Sequence, residues 1–193
     1  MLKKIIQHFM VNQAKFSAKQ AIKAFPDSLQ KDILSLFDKI SLQNNDYHSE
    51  TILMILQGKS LEIPYRIYFE AEHNHELTQT ENLILNCLLT RHHNGFIRQK
   101  SLELILSANE IWIIPFVFQL LGEYVIQILE VVKEILSEEL LSNFVRFIKE
   151  NPSFFEKTEQ RIISYWNCYY RGKFPKKEDY VGFQILEAIK THK

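Results

Sequence analysis

Apolar residues recur along most of this chain every three or four positions, the spacing that gathers them on one face of an α-helix. Turn-forming and polar clusters separate these stretches. The pattern predicts two helices within residues 80–106, and further helices over residues 2–25, 29–40, 47–57, 111–121, 124–136, 137–150, 153–171 and 179–189. A chain of this kind is predicted to be all-α and to pack as a compact helical array.

One short segment near residues 60–69 departs from the helical spacing. Its apolar side chains alternate with polar ones at the period of two that is typical of an extended strand. Pro64 has no N–H group to donate, so it does not fit the middle of a sheet. We therefore expect an edge hairpin or a strand-like strap that lies across helices, followed by a polar loop over residues 70–77.

Two sites have the spacing of a capping box, in which a hydroxyl and a carboxylate three residues later satisfy the first N–H groups of a helix. Thr78 and Glu81 form the first, and Ser153 and Glu156 form the second. The chain then divides into N-terminal helices over 1–58, the strap and loop over 59–77, central helix pairs over 78–136 and C-terminal helices over 137–193.

The helix that follows the Asn94-Gly95 turn has a characteristic series of residues, namely Asn94, Ile97, Arg98, Ser101, Leu104 and Ile105. This series resembles the second helix of HEAT-type repeats, where a turn residue precedes a β-branched residue, an arginine, a small residue and two aliphatic residues. The resemblance implies α-solenoid-like helix pairs and an arginine that ties adjacent units together. The next candidate unit, residues 111–136, lacks the arginine after its turn, so the resemblance covers one unit well.

Length and composition indicate a single folded domain over residues 1–193. Apolar residues make up 46% of the chain and charged residues 24%, which is far from the composition of disordered proteins. Lys+Arg and Asp+Glu each number 23, so no field of the whole molecule draws it to nucleic acid or to an anionic membrane. Two cysteines within apolar helical patterns do not make a disulfide framework, which favours a cytoplasmic location.

Neither of the two most hydrophobic stretches is predicted to enter a membrane. The N-terminal stretch, residues 1–16, is interrupted by Gln7, His8 and other polar residues, so we interpret it as an amphipathic helix and not as a signal peptide. Residues 111–132 approach the length of a membrane span, but Glu123 and Glu130 would place carboxylates in hydrocarbon. A buried core helix is the better interpretation.

The turn within residues 80–106 gathers Arg91, His92, His93 and Arg98, and it is the first candidate site. Guanidinium groups beside a helix N-terminus could bind a phosphate or a carboxylate. The structural alternative, which we favour, is that Arg98 binds carboxylates or carbonyls of the fold while the histidines cap the preceding helix.

Glu123 and Tyr124, which follow Gly122 within an apolar run, form the second candidate site. A carboxylate in such surroundings is costly unless it is paired, so we expect Glu123 to meet Arg91 or Arg98. The functional alternative is a general acid or base whose pKa is raised by burial. An ion pair is the favoured interpretation.

The aromatic run over residues 165–171 is the third candidate, because aromatic rings interleaved with cations can stack on bases and hold phosphates. Helical spacing, however, predicts that Tyr165, Trp166 and Tyr169 share a core face. Tyr170 and Arg171 are then left as possible contact residues.

We find no sequence signal for a metal, a cofactor or a known catalytic motif. His73 and His75 lie among glutamates in the polar loop, but no second ligand cluster accompanies them, so a solvated loop is favoured over a zinc site. The chain has no glycine-rich phosphate loop, no zinc-protease helix motif and no nucleophile elbow.

Two functions from different classes follow from these observations. The favoured one is a non-enzymatic module that binds another protein in the cytoplasm, of which a small inhibitor or immunity-type protein would be one version. The other is a binder or enzyme that uses Arg91, His92, His93, Arg98 and Glu123 on a phosphate-bearing or nucleic-acid ligand. The second function requires these residues to line one open, positive cleft, and it loses its site if Arg98 and Glu123 are buried against each other.

Overall fold

Helices make up most of the computed structural model, which describes residues 15–43, 50–73, 75–106, 108 and 110–192. The described residues form the helices α1 Ala18–Lys23, α2 Gln30–Lys39, α3 Gln79–Leu89, α4 Gly95–Ile105, α5 Ile114–Leu120, α6 Ile126–Glu134, α7 Glu138–Glu150, α8 Pro152–Tyr165 and α9 Val181–Thr191. They also form the strands β1 Ile40–Gln43, β2 Thr51–Leu56, β3 Lys59–Pro64 and β4 Glu70–His73. Most of the predicted N-terminal helix over residues 2–25 lies outside the described residues.

The predicted helix over residues 47–57 is wrong where the structure describes it. Residues 51–56 are strand β2, which pairs antiparallel with β3 so that Thr51 lies opposite Pro64. Gln57 and Gly58 connect the strands with φ angles of 52° and 75°, as a two-residue hairpin turn requires. Gly58, which directly follows the predicted helix, forms half of a turn that reverses the chain.

The hairpin is fastened to the C-terminal end of α7. The Asn151 side chain accepts a hydrogen bond from the Ile55 N–H at 2.8 Å and donates to the Ile55 carbonyl at 2.7 Å. The Glu150 carboxylate accepts from the N–H groups of Gln57 and Gly58 at 2.9 and 2.8 Å. α8 begins directly after Asn151 with Pro152 in its first turn, so Ser153 lies inside the helix and the capping box predicted there is absent.

The extended segment predicted near residues 60–69 is present and has two parts. Its first half is β3, and its second half crosses the turn between α3 and α4. There the Ile67 N–H donates to the Arg91 carbonyl and the Ile67 carbonyl accepts from the His93 N–H, both at 2.9 Å. The polar loop predicted after it partly forms β4, which pairs antiparallel with β1. The strap carries Arg66 to the centre of the fold.

The capping box at Thr78 is confirmed and has a second use. Thr78 and Glu81 exchange two hydrogen bonds at the start of α3, and the buried Glu81 carboxylate also accepts from Ser35 and Lys39 of α2 at 2.7 Å. Burial opposes ionisation of Glu81, but the hydrogen bonds from Lys39, Ser35 and the Thr78 N–H outweigh it and lower its pKa to about 2. One carboxylate therefore both caps α3 and ties it to α2.

The aromatic core face predicted at the end of α8 is partly wrong. Trp166 is buried, but Tyr165 is half-buried and Tyr169 is 68% exposed. Residues 166–170 form a π-helical turn closed by the Arg171 N–H to the Trp166 carbonyl at 2.7 Å. A π-helical turn has more residues per turn than an α-helix, so it rotates the side chains that follow it. Tyr169 is therefore turned away from the buried face of the helix on which Trp166 lies.

One continuous apolar core unites these elements, with α3 against α4, α4 against α6, and α9 against α6 and α7. The described residues are thus mostly helical, as predicted, but they also form two small two-stranded sheets where the all-α prediction expected one extended segment. An α-solenoid arrangement is not confirmed, and Leu104 of the HEAT-like series is 53% exposed. Within the described residues, no helix is long and apolar enough to cross a membrane.

Candidate functional site

Glu123 lies at the centre of a buried cluster of charges in the turn between α5 and α6. Its carboxylate meets three guanidinium groups, those of Arg66 at 2.7 Å, Arg91 at 3.2 Å and Arg98 at 3.3 Å. The strap supplies Arg66, the residue after the α3 cap supplies Arg91, and α4 supplies Arg98. The predicted ion pair is therefore confirmed with both expected arginines, and Arg66, which the sequence did not suggest, joins them.

The cluster keeps Glu123 ionised. Burial alone would raise its pKa, but the positive charge of Arg91 and the hydrogen bond from Arg66 outweigh burial and hold the pKa below its ordinary value. Burial lowers the pKa of Arg91 to about 10 and also lowers that of Arg98, so both remain cationic at neutral pH. A carboxylate held in this state is the reverse of the general acid considered from the sequence.

Arg98 also closes the turn between α3 and α4. Its Nη1 donates to the His92 and His93 carbonyls at 2.8 and 2.9 Å, while its Nη2 faces Glu123. Asn94 accepts a hydrogen bond from the Phe96 N–H at 3.0 Å and caps α4. Within the described residues, Nε of Arg98 and both Nε and Nη1 of Arg91 are buried without a hydrogen-bond partner.

The two histidines of the corner have different surroundings. His92 is buried, and its Nδ1 accepts from the Asn94 N–H at 3.0 Å. Burial, with the charges of His93 and Arg98 beside it, lowers the pKa of His92 to about 4, so its ring is neutral near pH 7. His93 is exposed and stacks on Tyr68 with ring centroids 5.3 Å apart.

The corner is therefore not an open anion-binding cleft. Arg91, His92, Arg98 and Glu123 are all buried, and of the corner residues proposed for a phosphate ligand only His93 reaches solvent freely. Arg98 and Glu123 are buried against each other at 3.3 Å. This is the arrangement expected if the corner holds the helices together.

A cluster of exposed aromatic side chains lies beside the buried charges. Tyr124 directly follows Glu123 and is 53% exposed, and its ring centroid lies 6.1 Å from that of Tyr165 and 6.5 Å from that of Tyr169. Phe96, which is 83% exposed, lines a groove of about 310 Å³ together with Tyr124. We call Phe96, Tyr124, Tyr165 and Tyr169 the aromatic patch.

The rest of the groove is lined by uncharged side chains. Besides the two aromatic residues, its walls are Asn94, Gly95, Gln99, Val125 and Gln127. The amide side chains among these can both donate and accept hydrogen bonds. The groove can therefore accommodate polar backbone groups between two aromatic walls.

The other two residues proposed at the aromatic run have separate positions. Tyr170 is half-buried, stacks on Tyr180 with centroids 5.2 Å apart, and donates its hydroxyl hydrogen to the Tyr124 carbonyl at 2.5 Å. Arg171 is exposed and lies over the ring of Trp166 at 5.6 Å. Tyr170 thus supports the backbone of the patch, and nothing in the structure places Arg171 in it.

The sequence did not indicate Phe96, Tyr165 or Tyr169 as contact residues. A signal existed for Phe96, because it occupies the first turn of α4 directly after the Asn94-Gly95 turn, outside the buried positions of that helix. No such signal existed for Tyr169, whose exposure follows from the π-helical turn.

A serine, a histidine and a glutamate also meet away from the patch. Ser142 Oγ lies 2.9 Å from His192 Nε2, and His192 Nδ1 lies 3.3 Å from the largely exposed Glu138. However, Ser142 is inside α7, where backbone N–H groups bond to carbonyls one turn earlier and are not free to form an oxyanion hole. This geometry does not support acyl transfer.

A metal site is not indicated by the part of the chain that the structure describes, which has no group of three or more His, Cys, Asp or Glu side chains that could hold an ion. His73 Nδ1 lies 3.0 Å from the carbonyl of His75 within the exposed loop. Comparisons with protein-family models, with curated proteins and with solved structures find no match to this chain. Its function must therefore be argued from its own surface.

Proposed function

We propose that this protein is a non-enzymatic module that binds another protein, and that the aromatic patch is where the partner docks. The observation that carries the proposal is the exposure of Phe96, Tyr124 and Tyr169 in one region, whereas most other large apolar residues that the structure describes are buried or half-buried. An inhibitor or immunity-type protein is one version of this function.

Exposed aromatic side chains in a cluster are costly to maintain and are typical of interfaces. Each removes on the order of 150–250 Å² from water when it is covered. Tyrosine and arginine are enriched among the residues that dominate binding energy, and tyrosine loses little conformational entropy when it is fixed. A patch with three tyrosines therefore fits a protein partner, both by its composition and by the small conformational entropy that its side chains lose on binding.

The patch also rests on a rigid base, which reduces the entropy lost on binding. Two contacts fix the backbone at Tyr124. The preceding residue, Glu123, is bound by the buried arginines, and the Tyr124 carbonyl accepts a hydrogen bond from the Tyr170 hydroxyl. Tyr165 and Tyr169 lie one helical turn apart, with centroids separated by 6.2 Å. The scaffold of α3 and α4, which we propose to be HEAT-like, presents Phe96 at its capped end.

The alternative function, a phosphate-bearing or nucleic-acid ligand bound at the Arg91–Glu123 corner, is less well supported. It requires guanidinium groups that a ligand can reach, whereas Arg91 and Arg98 are each 1% exposed. A catalytic version also lacks its general acid, because the pKa of Glu123 is lowered and not raised.

Site-specific photocrosslinking in the cells that make the protein tests the proposal. A photoreactive phenylalanine at Tyr169 or Phe96 should give a discrete crosslink to another protein. Leu53, on β2, is the matched control, because it is exposed to the same 68% as Tyr169 but lies outside the patch. Crosslinks of equal yield and identity from all three positions, or none from the patch, would overturn the proposal.

A further inference from the structure

The aromatic patch carries a local excess of positive charge, and we infer from it that the partner segment covering the patch is acidic. The inference rests on the proposed function, since it names the chemistry of the partner at the same surface. It depends on the side chains that lie under and beside the patch, whose charges differ from the neutral balance of the whole chain.

Four of the charged side chains that lie under or next to Tyr124 and Tyr165 are Arg91, Arg98, Glu123 and Arg161. Arg91 and Arg98 share the single carboxylate of Glu123, so this buried group already has one positive charge in excess. Arg161 adds another. These four side chains carry two more positive charges than negative ones.

Arg161 connects the buried charges to the patch. It precedes Tyr165 by four residues on α8, so these two side chains share one face of that helix, and Tyr169 follows in the π-helical turn. Its guanidinium lies 5.6 Å from the centroid of the Tyr65 ring. A Cβ at Gly122 would lie 3.2 Å from Cδ of Arg161, so this close approach depends on glycine next to Glu123.

Interactions with buried charges are screened less by water and salt than interactions between exposed charges. The excess charge lies directly beneath and beside Tyr124 and Tyr165, where the partner would exclude water and strengthen the field. Carboxylates facing this region would be attracted during docking and would remain favourable afterwards.

A protein segment fits this surface better than a nucleic acid. A single strand needs a groove whose cations follow a phosphate backbone over several nucleotides. Here the groove beside Phe96 and Tyr124 is walled by Asn94, Gln99 and Gln127, whose amides match the hydrogen-bonding groups of a peptide backbone. The combination favours an extended acidic segment with its backbone in the groove.

The test is selection of random phage-displayed peptides on the full-length protein, with counter-selection on the Tyr124→Ser, Tyr169→Ser double variant. Peptides that require the patch should be enriched in Asp and Glu over Lys and Arg.

The affinity of these peptides, measured by fluorescence polarisation, should fall as the salt concentration rises. Arg161→Gln should weaken it by about threefold, and Arg161→Lys by less. Arg146→Gln, at an exposed position of α7, is the control and should leave it unchanged.

The two hypotheses fail in different ways. Patch-dependent peptides without acidic enrichment, or with affinities that ignore salt, would overturn the acidic partner and leave the proposed function in place. Selection that yields no patch-dependent peptide would count against both. If the Arg161→Gln variant does not fold, the salt dependence of peptide affinity, measured on the wild-type protein, tests whether the partner is acidic. Tighter patch-dependent binding of single-stranded oligothymidylate would overturn the inference in favour of nucleic acid.

Discussion

Glu123 and Tyr124 are neighbours in the chain, yet they belong to two regions with opposite character. Glu123 is 4% exposed at the centre of three arginines, whereas Tyr124 is 53% exposed among other aromatic rings. Charged side chains are buried in the first region and aromatic side chains are exposed in the second, the reverse of the usual distribution. The buried charges have structural partners that explain them. The exposed aromatic rings have no structural contacts of comparable strength, so the aromatic patch is where binding is expected.

The largest expected effect of a substitution is at the centre of the charge cluster. Glu123→Gln would leave Arg66, Arg91 and Arg98 facing a neutral amide, and breaking a buried ion pair costs about 3–5 kcal/mol. Urea denaturation followed by circular dichroism measures the free energy of unfolding. Glu130→Gln, at an exposed position of α6, is the control and should change it by less than about 0.5 kcal/mol. If Glu123→Gln lowered the free energy of unfolding by no more than the control does, the buried arginines would not depend on the Glu123 carboxylate.

Arg98→Lys should have the next largest effect, a loss of about 2–3 kcal/mol in the free energy of unfolding. A lysine keeps the charge but cannot reach both the His92 and His93 carbonyls and Glu123 from one planar group. The comparison with Arg146→Lys separates the geometry of this site from a general preference for arginine. Equal stabilities of the two variants would contradict the structural role of Arg98.

Much of the charge cluster could be predicted from the sequence, because polar residues within apolar patterns need partners. Glu123 had to meet a cation, and Arg91 and Arg98 lay in the helix pair that could supply one. The cap at Thr78 was equally predictable, since local side-chain chemistry determines it, whereas Asn94 was predicted only as a turn residue. Arg66 could not be placed, because the path of its strap across the turn depends on tertiary contacts.

The aromatic patch could not be predicted for a different reason. Tyr165 and Tyr169 follow helical spacing, and only the π-helical turn after Tyr165 shows that Tyr169 leaves the core. The hairpin over residues 51–64 was missed because Thr51–Leu56 is too short for its spacing to distinguish helix from strand. In both places a single turn, formed at Gln57-Gly58 or at Trp166, decides which residues are exposed.

A pH titration of stability should also distinguish the buried corner from the exposed surface. The pKa of His92 is about 4 in the folded protein and near its ordinary value of 6.5 when unfolded. Above about pH 6.5 its ring is neutral in both states and contributes no pH dependence. As pH falls towards 4, mainly the unfolded chain takes up the proton, so the free energy of unfolding falls, by about 3 kcal/mol.

Variants at the two histidines test this assignment. His92→Asn keeps an acceptor for the Asn94 N–H and should remove most of the slope between pH 6.5 and 4. His93→Asn removes one of the charges beside His92 but leaves its burial unchanged, so it should retain most of the slope. The same slope in the two variants would mean that groups other than His92 are responsible.

Tyr169→Ser should have the smallest effect on stability and the largest on docking. Tyr169 is 68% exposed, so its removal returns little apolar surface to water, and the free energy of unfolding should change by less than about 0.5 kcal/mol. Leu53→Ser, at equal exposure on β2, should behave alike in unfolding experiments. Only the Tyr169 variant should lose the crosslink obtained from Phe96, because only Tyr169 belongs to the patch. If Tyr169→Ser instead costs stability comparable to Glu123→Gln while the crosslink persists, the patch is part of the fold, and the contrast between the two regions disappears.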